Sequence, residues 1–194
     1  MWEDFLNIGC WVAFIVVYLV FIKTYGNKGK SQKDHSHRSF YGGLYVTGII
    51  SIILYITGFT RIELLFPYQK IVGVVLAFLG LSFTIVARLR LRNRWSVNAR
   101  VSDNFIIEKR FPYNIVRHPI YSGQALICLG TAFVTSNIGI FIVLFIGTAA
   151  HNYYRAFKEE SLINEITNGE YERVFSRVGR LFPRILSFLY PKRC

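Results

Sequence analysis

Two stretches in the second half of the chain concentrate the residue types that do chemistry. The first is Arg110-Phe111-Pro112-Tyr113-Asn114-Ile115-Val116-Arg117-His118-Pro119-Ile120-Tyr121-Ser122-Gly123-Gln124. Pro119 fixes φ where a helix can begin, with His118 just before it. A helix start offers backbone N–H groups and a partial positive charge, which suit a carboxylate or a phosphate. Gly123 lets a ligand approach the backbone closely, and Tyr113 and Tyr121 can stack on or wall off a flat ring. The second stretch is Asn152-Tyr153-Tyr154-Arg155-Ala156-Phe157-Lys158-Glu159-Glu160-Ser161-Leu162. Asn152, Arg155 and Glu159 are three and four apart and share one helix face. Plain alternatives exist for both. The first can be an interfacial helix start anchored in headgroups by its Arg, His and Tyr. The second can be a solvated helix end whose Arg155–Glu159 pair is worth only about 0.3 kcal/mol.

The elements that carry these stretches are apolar. Phe5 to Ile22 is an uncharged run of 18 residues, Ser39 to Thr60 one of 22 and Ile71 to Ala87 one of 17. At about 1.5 Å per residue each can cross a hydrocarbon core of about 30 Å, the third only just. Glu3 and Asp4 stand where a signal peptide has its positive leader, and no small-residue cleavage site follows, so the first run is expected to be a retained span. Pro119 to Tyr154 holds no Asp, Glu, Lys or Arg for 36 residues. One helix of that length would measure about 54 Å, too long for one crossing. Thr135-Ser136-Asn137-Ile138-Gly139 is a polar turn cluster near its middle. The run therefore predicts a helical hairpin, with arms from about Ile120 to Val134 and from Ile138 onward. Glu159 lies 21 residues beyond Ile138, so it should emerge at the membrane surface where Arg117 to Tyr121 enter.

The 194 residues are 53% hydrophobic and 18% charged, with a mean hydropathy of +0.35 and a net charge of +12. That hydrophobicity excludes intrinsic disorder. The placement of basic residues between long apolar runs argues against a nucleic-acid binder and for an integral membrane protein. Residues 23–38 carry five basic side chains and one acidic, and residues 88–117 eight and two. The tail from Arg155 carries eight and five, whereas residues 61–70 carry two and one and the hairpin tip none. Positive-inside bias then puts the amino terminus outside and the carboxyl terminus in the cytosol. The expectation is one all-α, multi-pass membrane domain over residues 1–194 with about five transmembrane helices. Three spans occupy 1–87, and 88–194 form a catalytic half with a cytosolic pocket. Cys10, Cys128 and Cys194 have no metal or disulfide spacing. His35-x-His37 lacks a third ligand and reads as a solvated loop, so no metal is expected. Nothing in the sequence sets an oligomeric state.

No GxGxxG after a strand, GxxxxGK[ST], HExxH or GxSxG is present, so the dinucleotide-fold, P-loop, zincin and hydrolase readings lose their entry points. A basic helix start can hold a carboxylate, and acids can hold an ammonium or ribose hydroxyls. Those are the handles of an amino-acid nucleoside such as S-adenosylmethionine, with greasy helices left to hold a lipid acceptor.

The order Arg117-His118-Pro119-x-Tyr121-x-Gly123, then Glu159-Glu160 with Leu162, then Gly169-x-Tyr171 resembles the isoprenylcysteine carboxyl methyltransferase family. It is also similar to phospholipid N-methyltransferases. The tail pattern continues through Val178, Arg180 and Pro183 and departs at Asn168-Gly169 and Phe175. The resemblance covers about Tyr113 to Pro183. It implies an integral membrane methyltransferase that uses S-adenosylmethionine without a Rossmann domain. By the same resemblance, Arg117, His118, Pro119, Tyr121 and Gly123 match the cofactor motif, with Tyr113 and Val116 beside it. Glu159 and Glu160 match the paired acids, with Arg155 and Asn152 on the preceding turns.

A carboxylate acceptor is already ionised at pH 7 and needs no general base. Transfer would be in-line attack on the sulfonium methyl, aided by orientation and removal of water. Arg155 is then expected to guide the acceptor carboxylate, and Glu159 or Glu160 to hold the cofactor's ammonium or ribose. An amine acceptor must first lose a proton, for which either acid could serve as base. An isoprenylcysteine-like lipid is the first acceptor expected, a phospholipid or other lipid the alternative. A sterol-type membrane reductase and a non-catalytic lipid-binding scaffold are the rival classes.

Overall fold

In the computed structural model, residues 49–59, 67–91 and 107–184 are described. The expected span Phe5–Ile22, half of Ser39–Thr60, the His35/His37 loop, Cys10 and Cys194 lie outside them. The described residues are helical, with no strand among them beyond an isolated parallel bridge between Val116 and Gly179. Helix α1 covers 49–57, α2 Gln69–Leu91, α3 Pro119–Thr135 and α4 Ile138–Ile140. A π-helical turn, Phe141–Ile146, leads into α5, Gly147–Ile166, and α6 is Glu170–Phe175.

Helix α2 buries small residues and exposes large ones. Gly73, Ala77, Gly80, Thr84 and Ala87 are buried at spacings of three and four. Ile71, Val75, Phe78, Ile85 and Leu89 are exposed on the opposite face. Water would reject that arrangement, because an exposed apolar stripe of this size costs free energy. Hydrocarbon accepts it, and small residues let neighbouring backbones approach. At 23 residues α2 is long and apolar enough to cross a membrane. Helix α1 has the same inverted character: Ser51 is buried while Ile49, Ile52, Ile53 and Ile56 are exposed.

The chain divides into two compact units. In the first, described residues up to Leu81 join Gln124–Thr148. Here α2 and α3 touch backbone to backbone. A Cβ on Gly130 would lie 2.4 Å from the Gly73 carbonyl oxygen and 2.6 Å from the Ala77 nitrogen. Gly130→Ala is therefore expected to cost about 1–3 kcal/mol by overpacking, read as a lowered thermal midpoint in detergent. Gly147→Ala, whose Cβ would meet only the Ile142 oxygen at 4.0 Å, should leave that midpoint unchanged.

The turn after α3 is held by two side chains. Gln69 donates through Nε2 to the Phe133 carbonyl (3.0 Å) and Ser136 Oγ (3.2 Å), satisfying a helix-end carbonyl. Asn137 N-caps α4 by accepting from the Ile140 N–H at 3.0 Å, and it donates to the carbonyls of Leu54 and Phe59. Cys128, Ala132, Ile140 and Leu144 form a buried cluster between α3 and the segment that follows it. The second unit comprises the described residues of Ser82–Gly123 and those from Ala149 onward.

Candidate functional site

Every site residue anticipated above falls in the second unit. The segment before α3 is laid down first. Tyr113 is buried and donates from its hydroxyl to the Ala87 carbonyl at 3.3 Å, while Phe111 meets Phe83 edge-to-face. Val116 pairs with Gly179 as the chain approaches Pro119. The N–H of Arg117 donates to the Gly179 carbonyl (2.8 Å) and that of His118 to the Arg180 carbonyl (3.1 Å). Ser122 Oγ donates to the Leu181 carbonyl at 2.6 Å. The tail thus lies along the start of α3 and uses the amide donors of Arg117 and His118, which the sequence alone left open to an anion.

The side chains here form a continuous charged network. Arg117, with a side chain 5% exposed, uses its whole fork. Nε donates to the Val178 carbonyl, Nη1 to Glu160 (3.0 Å) and Glu172 (2.7 Å), and Nη2 to Glu172 (3.1 Å) and the Phe175 carbonyl (2.7 Å). Burial disfavours its charge, but the Glu172 and Glu160 carboxylates outweigh this and raise its pKa. Glu160 is equally enclosed. It accepts from Arg117, from Arg180 Nη2 at 3.0 Å and from His118 Nε2 at 3.0 Å. Burial pushes the Glu160 carboxyl up, but hydrogen bonds from His118 and Arg180 and the charges of His118 and Arg117 prevail, holding it at about 2. Because an ionised carboxylate only accepts, His118 Nε2 carries the proton in this contact.

Glu159, the adjacent acid, has a different setting. One oxygen, Oε1, accepts from the Tyr121 hydroxyl at 2.7 Å and from Arg155 Nη2 at 3.0 Å. The other, Oε2, lies 3.8 Å from His118 Nδ1, too far for a hydrogen bond. The His118 and Tyr121 rings stack with centroids 5.5 Å apart and 10° between planes, and the Arg155 guanidinium lies over Tyr121 at 5.8 Å. Asn152 is buried and makes a long contact, 3.5 Å, to the Tyr121 carbonyl. Gly123 and Pro119 are buried in the first turn of α3. Tyr113 and Val116 sit under the segment, outside the charged network.

Glu172, Arg180 and Gly179 belong to the frame and were not among the anticipated site residues. Arg180 appeared only as part of a tail pattern. Glu172 follows the Gly169 turn, whose φ of +80° suits glycine, but no local signal ties it to Arg117, 55 residues away. A Cβ at Gly179 would fall 1.9 Å from the Phe182 carbonyl oxygen, so the tail's course requires glycine there.

The depressed Glu160 pKa has a consequence in acid. Its contribution to stability is complete above its unfolded value of about 4.3 and is lost as pH falls toward the folded value. The thermal midpoint in detergent should drop from about pH 4.5 down to about pH 2, and Glu160→Gln, less stable at pH 7, should lose this share of the slope. Equal slopes in both proteins would assign the acid sensitivity to other groups.

The arrangement can hold a ligand that brings hydrogen-bond donors to Glu159 Oε2 and a flat group to the His118–Tyr121 stack. Among curated proteins none matches the chain. The phospholipid methyltransferase family model matches residues 68–168, from the start of α2 to the end of α5 and through all but the tail of the network. On that match over more than half of its length, the chain belongs to the phospholipid methyltransferase family.

Proposed function

We propose that this protein is a multi-pass membrane enzyme that transfers a methyl group from S-adenosylmethionine to a lipid held beside α3 and α5. Family membership carries the lipid methyltransferase reading. The observation that carries the site is the network joining Arg117, His118 and Tyr121 to Glu159 and Glu160, with the Glu159 Oε2 oxygen left for a ligand.

S-adenosylmethionine supplies an electrophilic methyl when bound. Glu159 holds the ammonium or a ribose hydroxyl through Oε2, and the His118–Tyr121 pair forms a wall for the flat base. Arg117, Glu160, Glu172 and Arg180 keep that wall in register, and the buried first turn at Pro119 and Gly123 excludes water. Asn152 supports the Tyr121 backbone. Tyr113 and Val116 act by shaping the approach to Pro119. Residues 88–194 supply the catalytic half of a single membrane domain whose amino terminus is outside and whose cofactor side is cytosolic. The buried small-residue faces and exposed apolar faces of α1 and α2 support the membrane setting.

The acceptor we favour is the amine of a phospholipid headgroup, in keeping with the family. An amine is largely protonated near neutral pH, so it must lose a proton to water at the membrane surface before attack, since the Glu159 carboxylate is occupied by Tyr121, Arg155 and the cofactor in this reading. The isoprenylcysteine-like carboxylate suggested by the motif order is the second reading. It requires Arg155 to leave Glu159, to which it is bonded at 3.0 Å.

Calorimetric titration of the solubilised protein with S-adenosylhomocysteine tests the cofactor. Saturable binding is expected, and a well-folded protein that shows none would overturn the methyltransferase reading. Labelled S-adenosylmethionine offered with phosphatidylethanolamine or with a prenylcysteine then separates the acceptors. Label is expected in the phospholipid, and transfer to the prenylcysteine alone would reverse the preference.

A further inference from the structure

The outward face of α5 carries a feature the network does not use. Tyr153, Tyr154 and Phe157 are each more than half exposed, at spacings that put them on one side of the helix. Two cations lie over these rings. The Lys158 Nζ is 4.6 Å from the Tyr154 centroid, and the Arg180 guanidinium is 5.0 Å from that of Tyr153 and 5.4 Å from that of Phe157. Arg180 Nη1 also donates to the Tyr153 hydroxyl at 3.0 Å, while its Nε is buried without an acceptor. Glu160, the acid paired with Arg180, lies behind it with a side chain 5% exposed, so the surface itself presents aromatic rings and the exposed Lys158 ammonium.

Position decides what covers such a face. The uncharged run from Pro119 ends at Tyr154, and Arg155 is the first charged side chain after it. Tyr153, Tyr154 and Phe157 straddle that boundary. Counted from Ile138 at about 1.5 Å per residue, they lie about 22 to 29 Å along the arm, the depth of a bilayer's interface. Amphipathic rings gather at that level, and long cationic side chains reach from it to headgroup phosphates. A soluble partner would need the rings to leave the interface.

We propose that Tyr153, Tyr154, Phe157, Lys158 and Arg180 form a docking surface for anionic phospholipid headgroups, seating α5 and the tail in the membrane–water boundary. The rings occupy the glycerol level, Lys158 pairs with lipid phosphate and anionic head charge, and Arg180, tied to Glu160, holds Tyr153 and Phe157 in place. Charge complementarity selects the lipid: a chain of net charge +12 presents here the exposed Lys158, whose stacking on the Tyr154 ring keeps it at the surface beside Tyr153 and Phe157. The inference rests on the membrane setting proposed above and not on methyl transfer.

The test uses the full chain reconstituted in phosphatidylcholine bilayers with spin-labelled phosphatidylglycerol or spin-labelled phosphatidylcholine. The motionally restricted fraction gives the relative association of the two lipids. The wild type is expected to prefer phosphatidylglycerol, and Lys158→Gln to lower that preference about fivefold, the contribution of one cation near an anionic surface. Tyr153→Ala with Phe157→Ala should lower it further. Lys158 is exposed and outside the network, so its variant keeps the measurement interpretable if the double variant fails to fold. Absence of any preference in the wild type, or an unchanged preference in Lys158→Gln, would overturn the proposal. Conversion of a wild-type dimer to monomer by Lys158→Gln, with lipid preference unchanged, would overturn it in favour of a second copy. S-adenosylhomocysteine titration of the same samples reports the methyltransferase reading separately, since its loss in the wild type would leave the lipid result intact.

Discussion

Replacing Arg117 by alanine should lower the thermal midpoint by about 10 °C or more, with loss of S-adenosylhomocysteine binding. The side chain is almost completely enclosed and supplies donors to two carboxylates and two carbonyls. Removing one partner of a buried ion pair costs about 3–5 kcal/mol, because the charge left behind is uncompensated, and each kcal/mol shifts the midpoint by about 2–4 °C in a chain of this size. Glu160 would keep Arg180 and His118, but Glu172 would lose its bidentate partner and the Val178 and Phe175 carbonyls their donors. Arg117→Lys is the sharper variant. It retains the charge, yet one ammonium cannot span acceptors arranged around a planar fork. A substantial part of the loss should therefore persist in the lysine protein. Full rescue by lysine would mean that charge alone, not the fork, organises the network.

Glu159→Gln and Glu160→Gln should fail in opposite ways, although the two residues are neighbours. Glu160 has three donors around it and is closed to a ligand. Its amide variant leaves two guanidinium groups short of a counter-charge, so the protein should be destabilised first and bind poorly as a result. Glu159 is partly exposed, with Oε2 3.8 Å from His118 Nδ1, beyond hydrogen-bond distance. Glu159→Gln should keep the thermal midpoint within about 1–2 °C while weakening S-adenosylhomocysteine binding roughly 10- to 100-fold, the worth of a hydrogen bond to a charged group. Calorimetry and thermal unfolding on both proteins give the comparison. Equal losses of binding at equal stability would end the division of labour between the two acids.

Much of the architecture could be read from hydropathy alone. The uncharged run Ile71–Ala87 lies within α2, which extends it by two residues before and four after. Those added residues are Gln69 and Lys70, then Arg88 to Leu91, because a helix continues until its polar ends reach water or a partner. The polar cluster Thr135–Gly139 marks the end of α3 and the cap of α4 at Asn137. Spacing of three and four put Arg155 and Glu159 on one face, and they are bonded. The residue types on both stretches carry the ligand class proposed above, since their charge and hydrogen-bonding capacity are local properties.

The roles within the network follow from the folded chain. Successive residues on a helix point about 100° apart, so nothing in the pair Glu159-Glu160 says which faces inward. That was decided by the tail, whose Gly179 and Arg180 carbonyls hold the start of α3 and whose Arg180 guanidinium reaches Glu160. Glu172 joined for the same reason: Arg117 has five donors, more than one acid can satisfy, and the turn at Gly169 delivers the second. The tail takes the Arg117 and His118 amides, which lie just before the first turn of that helix. Periodicity and residue chemistry are short-range and survive in a linear string. Which acid is enclosed and which is left open depends on contacts between residues 20 to 61 positions apart, and these exist only once the chain has folded.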